Sequence, residues 1–258
     1  MTKLFTVIFF FLFTNNCANS QSSGRMETDR PDQTESPFIV KHRFIQTEIG
    51  FNYESADGLS TVVHPTILWK YGASERFEFR LITELNSVET PLLIPNGNEV
   101  NTGLLPVQLG GKVSLWEEKG FLPKTSLIFH LAIPKLASKK FQNDKVAPNF
   151  RFTMQHTLSD NIGLGYNAGA EWDGFSSTPY WIYTIAPGFN LGKNWYAYIE
   201  AYGAVRKAEQ PQHGIDGGIA CYINDNLKLD ISGGFNIINS PNYVALGGSF
   251  RFNTGKKR

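Results

Sequence analysis

Most of the chain alternates apolar and polar residues with a period of two, in segments of about ten residues. In "RFIQTEIGFNY", Ile45, Ile49 and Phe51 would share one face of a strand. Gln46 and Glu48 would share the other face. This is the period of a β-strand, because successive side chains point to opposite faces. No segment beyond the apolar N-terminus carries a helical period, so the sequence predicts an all-β fold.

About twelve segments of this kind can be counted. They lie near residues 43–54, 60–71, 75–85, 104–116, 122–134, 147–158, 161–173, 179–191, 194–206, 212–223, 227–238 and 242–252. Strands of this length exceed the five or six residues usual in soluble sheets, and they match the roughly 9 to 11 residues that cross a bilayer at a tilt. The sequence therefore predicts a single antiparallel transmembrane β-barrel of about twelve strands.

The connections between these segments alternate in length. Every second one is short: "GAS", "EEKGF", "SDN", "GKN" and "NDN". The longest of the others are "NSVETPLLIPNGNEVNTG" and "KLASKKFQNDKV". Outer-membrane barrels have tight periplasmic turns and longer loops outside. This asymmetry predicts a protein of the Gram-negative outer membrane with both termini in the periplasm.

A soluble β-sandwich is the main alternative fold for an alternating chain. It would bury a dry apolar face between two sheets, whereas Gly163, Gly165 and Asn167 form a small and polar face that suits a wet lumen. Pro187 is the residue that fits the barrel least well, because it falls inside a predicted strand and has no N–H to donate. We expect a bulge or an early strand end there.

The N-terminus has the features of a secretory signal peptide. Lys3 is followed by an apolar stretch of about ten residues, which is too short to span a membrane. We expect residues 1–20 to be removed, residues 21–41 to form a charged plug or leader, and residues 42–258 to form the barrel. Removal would leave Cys221 as the only cysteine, so no intramolecular disulfide is expected.

Charge and motifs exclude several classes of function. The formal net charge is +1 and the basic residues are dispersed, so no nucleic-acid partner is expected. The five histidines are scattered and follow no metal-ligand spacing, and no nucleophile elbow is present. We therefore expect no enzyme activity, no cofactor and no metal site. His130 on an inner face is the residue on which a hydrolase would depend. The expected partners are outer-membrane lipids, a small solute and, during biogenesis, the barrel-assembly machinery.

The segment before the first strand, "METDRPDQTESP", is dense in charge and is followed by "FIQTEIGFNY". Together these stretches resemble the N-terminal signature of a family of outer-membrane β-barrels classed as transporters, the "MetA-pathway of phenol degradation" family. The resemblance rests on consecutive residues: Glu27, Thr28, Asp29, Arg30, Pro31, Asp32, Gln33, Thr34, Glu35, Ser36 and Pro37. It implies a barrel that passes small, in part aromatic, molecules.

A charged peptide tethered to the first strand can fold back into the lumen. We expect the acids of the segment to pair with basic residues of the wall, and Arg30 to pair with acids of the wall. The site residues predicted on this basis are Glu27, Asp29, Arg30, Asp32, Glu35, Arg80, Lys112 and Arg151. A periplasmic leader outside the barrel is the alternative.

The function expected from the sequence is passive uptake of small, aromatic or apolar molecules through an outer-membrane channel. An outer-membrane lipid hydrolase is one alternative. A structural or binding barrel without transport is the other.

Overall fold

The computed structural model describes residues 24–56, 59–91 and 98–255. The predicted signal peptide, residues 1–20, lies outside the described residues, and so do the tips of two predicted loops at 57–58 and 92–97.

Long β-strands make up most of this part of the chain. They are β1 (Phe44–Ala56), β2 (Leu59–Ser74), β3 (Phe77–Pro91), β4 (Asn98–Leu104), β5 (Val107–Trp116), β6 (Lys124–Ile133), β7 (Ala147–Ser159), β8 (Ile162–Glu171), β9 (Tyr180–Leu191), β10 (Trp195–Val205), β11 (Gln212–Asn224), β12 (Leu227–Ile238) and β13 (Asn242–Asn253). Two short 3-10 turns, Pro134–Leu136 and Lys139–Phe141, follow β6.

The strands close into an antiparallel barrel. Each strand pairs with its neighbour in sequence except β4 and β5, which both pair with β3, and β1 pairs with both β2 and β13. Phe44 at the start of β1 lies opposite Asn253 at the end of β13, so the two ends of the sheet meet in full register. Closure uses twelve strands, with β4 as one extra strand, and the predicted fold class is confirmed.

The extra strand lies in what the sequence predicts as a long loop between β3 and the next strand, and that prediction is wrong. β3 continues to Pro91, and residues 98–104 form β4, which pairs antiparallel with residues 91–85 of β3. β5 then pairs with the first half of the same β3 strand. Leu105 and Pro106 separate β4 from β5. Pro106 cannot donate to the ladder, which explains the break in an otherwise continuous strand.

The alternation predicted from sequence sorts residues between lumen and exterior. Side chains that point inward are polar and almost fully buried, as in Glu48, Glu78 and Lys112. Outward side chains such as Phe51 and Ile199 are apolar and more than half exposed, at 52% and 61%. The apolar exterior is the surface that outer-membrane barrels present to lipid.

Within the described ranges, no helix is long and apolar enough to cross a membrane.

The connections differ between the two ends of the barrel. One end carries the connections 75–76, 117–123, 160–161, 192–194 and 225–226, and we call it the turn end. The other end carries the connections 134–146, 172–179, 206–211 and 239–241, which include the two longest among the described residues, and we call it the loop end. β1 begins and β13 ends at the turn end.

Pro187 does not cause the expected bulge or early strand end. β9 runs through it to Leu191, and Pro187 lies opposite Leu164 of β8 in regular register. On the other side, pairing with β10 lapses between Gly188 and Ile185 and resumes without a shift. The missing N–H therefore leaves a local gap in one ladder, which the neighbouring pairs hold in register.

Candidate functional site

Residues 24–41 form a segment that lies inside the barrel, and we call it the lumen segment. It enters at the turn end, where the Met26 amide donates to the carbonyl of Asp225 over 2.9 Å. Arg25 donates there to the side chain of Asn190, also over 2.9 Å. These contacts fix the entry point beside two short turns.

The segment reaches the middle of the strands and then returns to the turn end. The Ser126 hydroxyl of β6 donates to the carbonyl of Pro37 over 2.6 Å, and the Val40 amide donates to Glu78 over 2.7 Å. At Gly72 a Cβ would meet the Val40 carbonyl oxygen at 2.3 Å. Glycine is required at this position because the returning backbone passes directly against the wall.

Asp29 is the centre of the contacts between segment and wall. Its Oδ2 lies 2.9 Å from Lys70 Nζ and 2.8 Å from Arg80 Nη1, and its Oδ1 lies 3.0 Å from Lys112 Nζ. The three cations come from β2, β3 and β5 and are at most 1% exposed. One carboxylate therefore ties the segment to three strands through charge-assisted hydrogen bonds.

The electrostatics at Asp29 favour its charged form. Burial alone would raise the pKa of this carboxyl, but Lys112, Lys70 and Arg80 outweigh burial and hold the pKa well below its usual range. The carboxylate thus stays ionised at neutral pH. The same site is crowded with wall acids, since Glu78 contacts Arg80 at 3.1 Å and Glu48 contacts Lys70.

Two further charged residues of the segment have partners on the wall. Glu35 Oε2 lies 2.6 Å from Arg80 Nη2, and Glu35 Oε1 lies 3.9 Å from Arg151 Nη1. Arg30 Nη2 lies 2.8 Å from Asp230 Oδ1. The structure thus brings together six of the predicted site residues: Asp29, Arg30, Glu35, Arg80, Lys112 and Arg151.

Arg30 lies in a seat formed by two glycines. A Cβ at Gly50 would meet Arg30 Nη1 at 2.0 Å, and a Cβ at Gly247 would meet Arg30 Nε and Nη2 at 2.4 Å. The two glycines are paired across β1 and β13. Their lack of side chains leaves the space in which the guanidinium reaches Asp230.

We expect Gly247→Ala to displace Arg30 and weaken insertion of the segment by about 1 kcal/mol, because overpacking at a tight contact forces a side chain to move. The measurement is the open fraction of single channels, which should rise about fivefold. Gly248→Ala is the matched control, because its Cβ would meet only Leu229 Cδ2 at 3.3 Å and the Lys228 carbonyl at 3.5 Å. Equal open fractions in the two variants would mean that the glycine seat does not hold Arg30.

The remaining two predicted site residues make no ion pair within the described part of the chain. The Glu27 side chain is exposed, and only its carbonyl contacts the wall, where it accepts from Gln46 over 2.6 Å. Asp32 is half-buried, and its carboxylate accepts from the Tyr196 hydroxyl over 3.5 Å. The expected pairing of Asp32 with Arg80, Lys112 or Arg151 is therefore not found.

Burial is the main cause of a raised pKa at Asp32. Burial raises its pKa to about 7; Lys228 opposes this, and the nearby acids Asp216 and Asp29 add to it. The inserted state thus holds a proton more tightly than a released segment would. This stabilises insertion fully below pH 3.8, the usual pKa, and the stabilisation is lost as the pH rises through about 7.

We expect the open fraction of the wild type to rise between pH 5.5 and pH 8.5, since the charged form of Asp32 disfavours insertion. Asp32→Asn should remove this rise, because the amide is neutral throughout. Single-channel recording at constant salt over that range measures both. A wild type and an Asp32→Asn variant with the same pH dependence would contradict the assignment.

Sequence reasoning missed several contacts that hold the segment. The Gln33 amide donates to Glu200 over 2.7 Å, and the Thr34 hydroxyl lies 2.6 Å from that of Thr184. The Glu35 amide donates to the Asn167 side chain over 2.8 Å. Glu200 was recognisable as a lumen residue from the alternation. Its partner is a backbone amide, however, and no sequence pattern identifies that.

Cavities lie on both sides of the segment. One of about 150 Å³ lies towards the turn end and is lined by Arg25, Tyr196 and Tyr222 among others. Two more, of about 190 and 200 Å³, lie towards the loop end and share Gln33, Glu54 and Tyr243 in their walls. The lumen segment separates the first cavity from the other two.

A family model described as "Putative MetA-pathway of phenol degradation" matches residues 28–253. The chain belongs to this phenol-degradation family. The match begins at Thr28 in the lumen segment and ends with β13, so most of the segment and the whole barrel lie within it. The resemblance drawn from the N-terminal stretch is confirmed.

Solved structures with the same fold include outer-membrane channels and porins. The COG4313 outer membrane channel from Pseudomonas putida F1 is 9% identical with a TM-score of 0.65, over 86% of this chain and 100% of that one. The KdgM porin is 10% identical with a TM-score of 0.54, over 80% and 99%. The NanC porin is 8% identical with a TM-score of 0.53, over 79% and 98%. A search of curated proteins found no match.

In this member of the phenol-degradation family, His130 is not placed as a catalytic base. Arg80 Nε donates to its Nε2 over 3.1 Å, and its Nδ1 lies 3.2 Å from Asn149 Oδ1. The nitrogen lone pair that a general base needs is thus occupied by a permanently charged guanidinium. Within the described ranges, no serine hydroxyl is hydrogen-bonded to His130.

Proposed function

We propose that this protein is an outer-membrane channel for passive uptake of small molecules, with the lumen segment as its gate. The observation that carries the proposal is the position of the segment. It crosses the lumen between one cavity towards the turn end and two cavities towards the loop end. Barrels of eight strands are filled by side chains, and those of sixteen leave an open channel. A barrel of twelve strands lies between these sizes, so a short peptide is enough to close it.

The solutes in this proposal are about the size of one benzene ring. Cavities of about 150 to 200 Å³ are of the size that holds a benzene-sized molecule. The family description, which refers to phenol degradation, agrees with aromatic solutes of this kind. Tyr196 and Tyr222 on the turn side, and Tyr202 and Tyr243 on the loop side, offer aromatic surfaces to such solutes.

The orientation in this proposal places the turn end and both termini in the periplasm, because outer-membrane barrels keep their tight turns there. Lipids would contact the apolar exterior, and the barrel-assembly machinery would insert the chain. The gate would then be tethered on the periplasmic side.

Liposome swelling tests the proposal. Proteoliposomes with the wild type, or with a variant that lacks residues 24–36, are diluted into arabinose or phenyl β-glucoside, a small sugar and an aromatic solute that cross lipid slowly. We expect slow swelling with the wild type and fast swelling with the deletion. A folded deletion variant that swells no faster than empty liposomes would instead favour a structural or binding barrel.

A further inference from the structure

One of the loop-side cavities, of about 200 Å³, has two carboxylates in its wall, and we call it the Glu84 cavity. Glu54 comes from β1 and Glu84 from β3, on either side of β2. Asn52 Nδ2 donates to Glu54 over 2.6 Å, and the Thr66 hydroxyl donates to Glu84 over 2.5 Å. These neutral donors orient the carboxylates without neutralising them.

The charge in the Glu84 cavity is not balanced by wall cations. Neither Glu54 nor Glu84 forms a salt bridge in the ranges that the structure describes. Arg30 is the basic residue in the lining, and its guanidinium is already paired with Asp230 at 2.8 Å. Asp32 adds a further acid to the lining. The cavity is therefore net negative and has unused acceptor capacity.

A second and independent observation concerns neutral oxygens in the same wall. Ser232 is 5% exposed and lines the cavity, and its hydroxyl has no hydrogen-bond partner among the described residues. Asn52 Oδ1 is unpartnered in the same way. Buried polar atoms are normally hydrogen-bonded. These two oxygens therefore mark a position where a bound molecule could donate hydrogen bonds to them.

We propose that the Glu84 cavity binds small organic cations, with an ammonium group between the carboxylates and a ring-sized body behind it. An ammonium offers three N–H donors and a positive charge, which matches two carboxylates and unpaired oxygens. Val63 and Ala245 line the cavity and supply apolar surface. This inference rests on the channel proposal, because it names the class of solute that the Glu84 cavity selects.

The test is calorimetric titration of the full-length, detergent-solubilised protein with benzylammonium, benzyl alcohol and benzoate, which share a ring and differ in charge. We expect benzylammonium to bind about tenfold more tightly than benzyl alcohol, and benzoate not to bind, since a charge-assisted hydrogen bond contributes about one such factor. The double variant Glu54→Gln, Glu84→Gln should bind benzylammonium about tenfold more weakly. Glutamine keeps the size and hydrogen bonds of each side chain.

Glu89→Gln is the matched control, because Glu89 is also on β3 but bonds to Ser60 and does not line the cavity. It should bind benzylammonium as the wild type does. Equal binding of benzylammonium and benzyl alcohol, or unchanged binding by the double variant, would overturn the inference. If the double variant does not fold, the same comparison is made with the two single variants. Binding in micelles does not require permeation. A failure of benzylammonium to bind would therefore not contradict the swelling result, and a failure of swelling would not contradict the binding result.

Discussion

A variant that lacks residues 24–36 should form a stable barrel with a severalfold larger single-channel conductance than the wild type. The segment occupies the lumen and is proposed to close it, so its removal should leave a wider path. The barrel should remain folded because strand pairing and the lipid-facing surface supply most of its stability. The wall charges that lose Asp29 keep partners of their own, since Arg80 contacts Glu78 at 3.1 Å and Lys70 contacts Glu48.

Planar-bilayer recording of wild type and deletion at the same salt measures this effect. Heat-modifiable migration in detergent serves as the control for folding, because an intact barrel migrates differently before and after boiling. If both proteins are folded and carry equal currents, the segment is a leader that does not restrict flow.

Asp29→Asn should be the single substitution that releases the segment most strongly. The neutral amide cannot form ion pairs with Lys70, Arg80 and Lys112, so the segment loses its three buried charge contacts to the wall. Removing one partner from a buried ionic contact costs about 3 to 5 kcal/mol. Taking the lower value because the lumen is wet, we expect the open fraction to rise by about two orders of magnitude.

Asp32→Asn provides the matched control for this prediction. It makes the same chemical change three residues away in the same segment, at an acid that forms no ion pair among the described residues. At pH 8 it should lower the open fraction, because the neutral amide removes a charge that disfavours insertion. Asp29→Asn and Asp32→Asn should therefore act in opposite directions. Similar effects would show that the ion pairs of Asp29 do not hold the gate.

The barrel could be predicted because its strands carry a strong local signal. Inward Glu48 and Gly50 alternate with outward Ile49 and Phe51, and a lipid-facing exterior requires this period of two to persist over the strand. β4 was missed because seven residues followed by Leu105 and Pro106 resemble a loop. Its stability comes from pairing with the far half of β3, which is a non-local contact.

The site was harder to predict than the fold. The segment's composition indicates that its acids form ion pairs with basic residues of the wall. Composition does not distinguish Asp29 from Asp32, because both are aspartates in one short stretch. Which of them meets Lys70, Arg80 and Lys112 depends on the path of the backbone through the lumen. That path is set by contacts such as Gln33 to Glu200 and by the glycine seat of Arg30. These contacts exist only once the barrel is closed.

The most direct test of the gate is a reversible lock between segment and wall. The hydroxyl oxygens of Thr34 and Thr184 lie 2.6 Å apart, so two cysteines at these positions are within reach of a disulfide. The lock is built into the Asp29→Asn variant, with Cys221→Ser to prevent mispairing.

Single-channel current is then recorded from the same preparation before and after the disulfide is reduced. Mass spectrometry verifies that the disulfide joins the cysteines introduced by Thr34→Cys and Thr184→Cys. We expect the oxidised protein to be closed and the reduced protein to open as Asp29→Asn does. An oxidised protein that carries the same current as the reduced one would contradict the account, because solutes would then pass a segment fixed inside the barrel.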